Sequence, residues 1–200
     1  MLAISNLSFF YHKNEILTYG THLFRDITII SGPSGRGKST LFHLISRTFL
    51  PQTGAIFWNN ENIENFEKDI YYKEVLSLVT QDAHLSPYFT LREYIALIQY
   101  LYKKTDTNSY EQTLVTLGLE TLLDQHIGSC SGGQKYRINL FLALLKDTPL
   151  LCLDEPTAHL DDENKNKMIT VLEEKKQKTI LIISHDPDLQ NRPPYNYFTL

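Results

Sequence analysis

Residues 32–39 run Gly-Pro-Ser-Gly-Arg-Gly-Lys-Ser, followed by Thr40. A G-x-x-x-x-G-K-[ST] string of this kind can cradle phosphate. Glycines let the backbone turn so that successive N–H groups converge on one anion. Lys38 then reaches the β- and γ-phosphates of a nucleoside triphosphate, and the Ser39 hydroxyl can ligate Mg²⁺. Farther along, Leu150-Leu151-Cys152-Leu153-Asp154-Glu155 ends an apolar run in two acids. One such carboxylate can hold a metal while the other orients or deprotonates a water. Alone the pair is an ordinary loop start; beside a phosphate loop it reads as the hydrolytic half of one site. His185 ends a second apolar run, where an imidazole could touch a γ-phosphate.

These groups cooperate only if the chain between them folds to bring them together. Ile27-Thr28-Ile29-Ile30 is a β-branched apolar stretch, as expected of a buried parallel strand. After the loop, Leu41, Leu44, Ile45 and Thr48 recur at helical spacing, so a helix points its positive end at the phosphate. Leu2 to Tyr11 alternates like a strand, with a turn near His12-Lys13-Asn14. Pro51 to Gly54 ends the first helix and leads into Ala55-Ile56-Phe57-Trp58, expected as an edge strand closed by Asn59-Asn60. Residues 75–80 read as a strand, and 90–103 and 108–118 as helices. The turn at 129–133 opens a helix running to Lys146. Residues 149–153 and 179–184 are near-continuous apolar runs, the mark of strands covered on both faces. Between them Asp161 or Asp162 caps a helix on which Met168, Val171 and Leu172 share a face. Glu173 to Lys178 is expected as a solvated helix end, with Glu174 four residues before Lys178. The alternation predicts an α/β fold, a mostly parallel sheet flanked by helices, with the helical stretch 83–130 as a separate lobe.

Composition narrows the classes. With 200 residues, 42% of them hydrophobic, the chain can bury a core as one large domain or one domain with an inserted lobe. A formal net charge of −4 and no long basic run argue against a direct nucleic-acid partner. The apolar stretches fall short of the roughly 18 residues that span a bilayer. The opening residues lack the basic start and cleavage site of a signal peptide, so a cytoplasmic location is expected. Cys130 and Cys152 show no metal-ligand spacing and read as reduced core thiols.

Ser131-Gly132-Gly133-Gln134 resembles the signature sequence of ATP-binding cassette (ABC) ATPases, and the order of the other motifs agrees. Gly32 to Thr40 looks like Walker A, comprising Gly32, Pro33, Ser34, Gly35, Arg36, Gly37, Lys38, Ser39 and Thr40. Val79-Thr80-Gln81-Asp82 looks like the Q-loop, Leu150 to Glu155 is similar to Walker B, Ala158-His159-Leu160-Asp161 to the D-loop, and Ser184-His185-Asp186 to the H-loop. Tyr11 sits where the family places an aromatic ring that stacks on adenine. Each string is weak alone; six in order are specific.

The resemblance implies a P-loop NTPase core with an N-terminal antiparallel part and an inserted helical lobe: core at 1–82 and 147–200, lobe at 83–146. It implies ATP and Mg²⁺, with Ser39, Gln81 and Asp154 serving the metal, and Lys38, Glu155 and His185 serving hydrolysis. It further implies a head-to-tail pair of nucleotide-binding domains, homodimeric or heterodimeric, in which Ser131, Gly132, Gly133 and Gln134 serve the ATP of the opposite subunit. A transmembrane permease subunit is the implied partner, which would place the chain on the inner face of the membrane. Leu85, Pro87, Tyr88, Phe89 and Tyr94 could then form an apolar receiving groove, or pack the lobe's own core. Departures exist: Cys130 stands where the signature usually has leucine, Arg36 replaces a small Walker A residue, Ala158-His159 replaces the usual D-loop pair, and Leu142 replaces a common arginine. The stretch from Tyr11 to Gly32 is also short for the family. Lys38, Asp154, Glu155 and His185 all survive, whereas a non-hydrolysing cassette is expected to lose one of them. Rival readings are a soluble ABC ATPase acting on a non-membrane partner and an ATP-dependent clamp with little turnover.

Overall fold

The computed structural model describes residues 1–11, 16–80, 85–103, 107–158, 160–175, 177–192 and 194–200, and at 107–109 the backbone alone. Along the chain, β1 (Leu2–Phe10) pairs antiparallel with β2 (Ile16–Tyr19) at its end and with β3 (His22–Phe24) at its start. β4 (Ile27–Ser31) leads through the phosphate loop into α1 (Lys38–Ile45). β5 (Thr53–Trp58) and the two-residue β6 (Glu61–Asn62) return to the first sheet, whose order is β2-β1-β5-β6. Next come α2 (Lys68–Glu74) and β7 (Leu76–Val79), then three helices, α3 (Leu91–Tyr102), α4 (Thr107–Thr116) and α5 (Gly132–Leu145). The chain closes with β8 (Leu150–Asp154), α6 (Asp162–Glu174), β9 (Thr179–Ile183), the short α7 (Pro187–Gln190) and β10 (Asn196–Thr199). The second sheet is parallel, in the order β10-β4-β9-β8-β7.

The period-2 geometry of strands explains why β8 and β9 read as unbroken apolar runs. Leu151, Leu153, Ile180 and Ile182 face one hydrophobic cluster, shared with α5 and α6. Leu150, Cys152, Leu181 and Ile183 face the other, shared with α1 and the antiparallel sheet. Both faces are covered, so every residue of β9 is buried. α5 is apolar on all sides in its second half for the same reason. Ile138, Leu140, Phe141 and Leu142 are buried, and Ser77 of β7 donates to the Ala143 carbonyl at 3.2 Å. Both cysteines are buried free thiols.

Three local expectations change. β5 is not an edge strand: β1 covers one side and β6 caps the other through Phe57 and Trp58. α6 stops at Glu174, and the charges beyond are used across elements instead of along a helix. Lys178 donates to the Asp147 carboxylate at 2.6 Å and the Thr148 carbonyl at 2.7 Å, while Glu173 accepts from Arg192 and Tyr195. The aromatics near residue 90 divide. Tyr88 is 82% exposed, whereas Tyr94 is half-buried, packs edge-on against Phe89 and accepts from the Ser86 amide at 2.7 Å. The turn at 12–14 lies outside the described residues.

Candidate functional site

The parallel strands β4, β8 and β9 all end at one cleft of about 610 Å³, the usual place for ligands in an open α/β sheet. Lys38, Ser39, Thr40, Asp154, Glu155 and His185 line it together, with Tyr11 at the rim. Groups separated by more than a hundred residues in sequence thus share a single space.

The loop is shaped by close approach. Gly37 has φ of 88°, and a Cβ there would lie 2.6 Å from the Tyr19 hydroxyl and 2.8 Å from Leu17. Tyr19 fixes that turn by donating to the Gly37 carbonyl at 2.7 Å. Gly32 has φ of 137°, and a Cβ there would meet the Leu200 carbonyl at 2.6 Å. α1 then starts with no side chain capping its first amides, which leaves N–H groups and a positive helix end facing the cleft. Lys38 is buried and donates to the carbonyls of Gly32 at 2.8 Å and Pro33 at 3.0 Å.

The acidic side is equally constrained. Glu155 sits at φ 47°, and its amide donates to the Ile183 carbonyl at 2.9 Å, which turns the chain back over the sheet end. Its carboxylate accepts from the His185 amide at 3.4 Å and lies 3.8 Å from the His185 Nε2. Burial raises the Glu155 carboxyl above the ordinary value; His185 and Lys38 oppose the shift without cancelling it. Asp154 is raised as well, burial outweighing the Ser39 hydrogen bond and the nearby His43 and Lys38. A carboxyl held up in this way is closer to the pKa a general base needs at neutral pH.

Mg²⁺ prefers hard oxygen donors and keeps several waters or phosphate oxygens in its octahedral shell. The Ser39 hydroxyl and the Asp154 carboxylate both line the cleft beside the phosphate loop, an all-oxygen set that fits such an ion. Among the described residues no group of three or more His, Cys, Asp or Glu side chains gathers into a metal cage. Gln81 lies outside the described residues.

Other expected residues fall elsewhere. Arg36 is exposed and does not line the cleft. Tyr11 is 49% exposed; its hydroxyl pairs with Thr40 at 2.9 Å, and its ring meets Phe9 and Phe49 edge-on. Ser131, Gly132, Gly133 and Gln134 line a second cleft of about 480 Å³ with Arg137, Asp161 and Asn164, and the two clefts share no lining residue. At that end Ser131 accepts from the Gln134 amide and Gln134 accepts from the Ser131 amide, a capping box. Sequence reasoning missed Tyr19 and Leu17, which brace Gly37; a tyrosine 18 residues upstream carries no local signal of that role.

A family model described as ABC transporter matches residues 25–158. The molybdenum import ATP-binding protein ModC of Escherichia coli K12 is 36% identical over 168 residues. That alignment covers 81% of this chain and 47% of ModC, so the chain spans about half the length of such relatives. The thiamine import ATP-binding protein ThiQ of Haemophilus influenzae is 35% identical over 164 residues, 79% of this chain and 75% of ThiQ. Among solved structures, a dimeric ATP-binding cassette in a post-hydrolysis state, bound to ADP and Pi, superimposes with a TM-score of 0.78 at 23% identity. It covers 94% of this chain and 90% of that one. At that identity the likeness shows the fold, which is that of an ABC ATPase cassette.

Proposed function

Because the chain belongs to the ABC transporter family, we propose that it is the ATP-binding and ATP-hydrolysing subunit of a transporter. The observation that carries this reading is the convergence of Lys38, Ser39, Asp154, Glu155 and His185 on one cleft at the ends of parallel strands. Hydrolysis proceeds by in-line attack of water on the γ-phosphate. The free amides at the start of α1 and the Lys38 ammonium stabilise phosphate charge, and Lys38 exchanges its carbonyl partners for phosphate oxygens. Ser39 and Gln81 would ligate Mg²⁺ and Asp154 would support it, and the ion would supply positive charge to offset that of the phosphates. Glu155 polarises the attacking water, and His185 holds the γ-phosphate. Tyr11 stacks on adenine.

Two copies, or this chain and a similar one, close head to tail, so that the cleft at Ser131 to Gln134 covers the ATP held by the mate. The solved cassette of the same fold, bound to ADP and Pi, is dimeric. We place the transport path in a permease subunit; no helix among the described residues is long and apolar enough to cross a membrane. The exposed Tyr88 and Phe89 are where we place its docking. The relatives are import proteins by name, which favours import.

The decisive experiment is Glu155→Gln. Turnover should fall by about two to four orders of magnitude while Mg-ATP binding persists. Phosphate release close to that of the parent chain would refute the assignment. For the permease, a crosslinker at position 88 should capture a co-purified membrane protein; its absence in an active complex would remove that docking site.

A further inference from the structure

Lys165 stands one turn into α6, its amide bonded to the Asp161 carbonyl at 2.9 Å, yet its side chain crosses to a different element. Nζ lies 2.9 Å from the Asp186 carboxylate and 3.2 Å from Asp188, with the exposed Asp162 at 3.7 Å. Lys165 and Asp186 are both mostly buried, at 15% and 11% side-chain exposure, so this contact differs from a solvated surface pair. Asp186 is pinned on every side. Its amide donates to the Ser184 hydroxyl at 3.0 Å, and its carboxylate caps α7 by accepting from the Asp188 amide at 2.9 Å. Ser184 is wholly buried and accepts at its carbonyl from Gln190 at 2.8 Å. His185 therefore sits between two fixed neighbours, its amide aimed at Glu155.

We propose that Lys165 is a positioning residue: by gripping Asp186 it sets His185 against Glu155, and it ties that pair to the Asp161 turn that lines the second cleft. This deepens the hydrolysis reading and rests on it. Asp161 lines the cleft with Ser131 while capping α6 through the Asn164 amide at 2.8 Å. One turn of helix separates it from Lys165, and one ion pair separates Lys165 from the residue after His185. A mate that docks on the Asp161 turn and the imidazole that holds the γ-phosphate are thus connected by a short, rigid path. The placement of one is not independent of the other.

The test uses Lys165→Met, Asp186→Asn, their combination and Lys165→Arg in the full chain. Each of the first two should lower kcat about 10-fold with KM for Mg-ATP within about 2-fold, the signature of lost transition-state positioning. The combination should be no worse than the worse single variant, because both remove one contact. Lys165→Arg, which restores a cation at that place, should recover at least half of the turnover. Hydrogen exchange without nucleotide should quicken in residues 184–190 of Lys165→Met and stay unchanged in β8. Unchanged kcat, additive losses, or unchanged exchange at 184–190 would overturn the proposal. A parent chain no faster than Glu155→Gln would instead refute the hydrolysis reading, and the exchange experiment would still decide whether Lys165 holds the His185 segment.

Discussion

Two helices of this molecule begin with glycine-containing turns, and they treat their first amides in opposite ways. α1 starts at a left-handed Gly37 with no side-chain cap, so its N–H groups are left for a ligand. α5 starts at Ser131 with a complete capping box, in which Ser131 accepts from the Gln134 amide and Gln134 from the Ser131 amide. The first end, which we assign to phosphate, sits beside a buried lysine and two acids whose carboxyls burial raises. The second carries its own cap in a lone copy and, in the proposed reading, lends its glycine amides to phosphate only when a mate brings one. In the proposed reading, one end holds the nucleotide and the other completes a site it does not own.

That contrast can be broken most severely at the first end. Lys38→Ala should weaken nucleotide binding about 100-fold or more, read by titration with a fluorescent ATP analogue, because no other cation lines that cleft wall among the described residues. The second end should behave differently under Gly132→Ala. A Cβ at Gly132 meets nothing within 4 Å and alanine favours helix, so the lone chain should melt no lower than its parent. Turnover should nevertheless drop about 10-fold, because the added methyl stands where the mate's phosphate arrives. Equal turnover would mean that the Ser131 cleft does not face a nucleotide. Ser131→Ala sharpens the point from the other side. It removes the cap, costs about 1 kcal/mol and lowers the melting temperature by roughly 2–4 °C, while nucleotide binding by the lone chain is unaffected.

The smallest effect concerns the acids. Both carboxyls are raised, so the folded chain binds their protons more firmly than the unfolded chain does, and ionised acids cost stability above the unfolded value. Glu155→Gln should therefore melt higher than the parent at neutral pH without nucleotide. The gap should close as pH falls through the raised range, when the parent's carboxyl takes up its proton. Melting curves across that interval check the sign.

Motifs at the cleft were legible because backbone turns and phosphate chemistry restrict residue type over short strings, as in Gly32 to Thr40. Buried strands β8 and β9 were legible because cover on both faces demands unbroken apolar runs. β10 was not, since Asn196 to Thr199 is exposed along most of its length and carries no such run. Nor was the Lys165–Asp186 pair: two charges 21 positions apart, on separate elements, leave no periodic trace. The misread Glu174–Lys178 spacing has the same origin. Spacing along a helix predicted a local pair, and the fold used Lys178 to hold Asp147 instead.

β4, which carries the phosphate loop, is flanked by β9 on one side and β10 on the other, with Ile29 opposite both Ile182 and Tyr197. Its neighbours are thus synthesised some 150 positions after it. A nascent chain on the ribosome carries the entire Gly32 to Thr40 string long before that string has a sheet to stand on. Competence to hold nucleotide must arrive abruptly, once β9 and β10 have emerged to flank β4. A stalled chain ending near position 175 should fail to capture ATP despite displaying every residue of the loop.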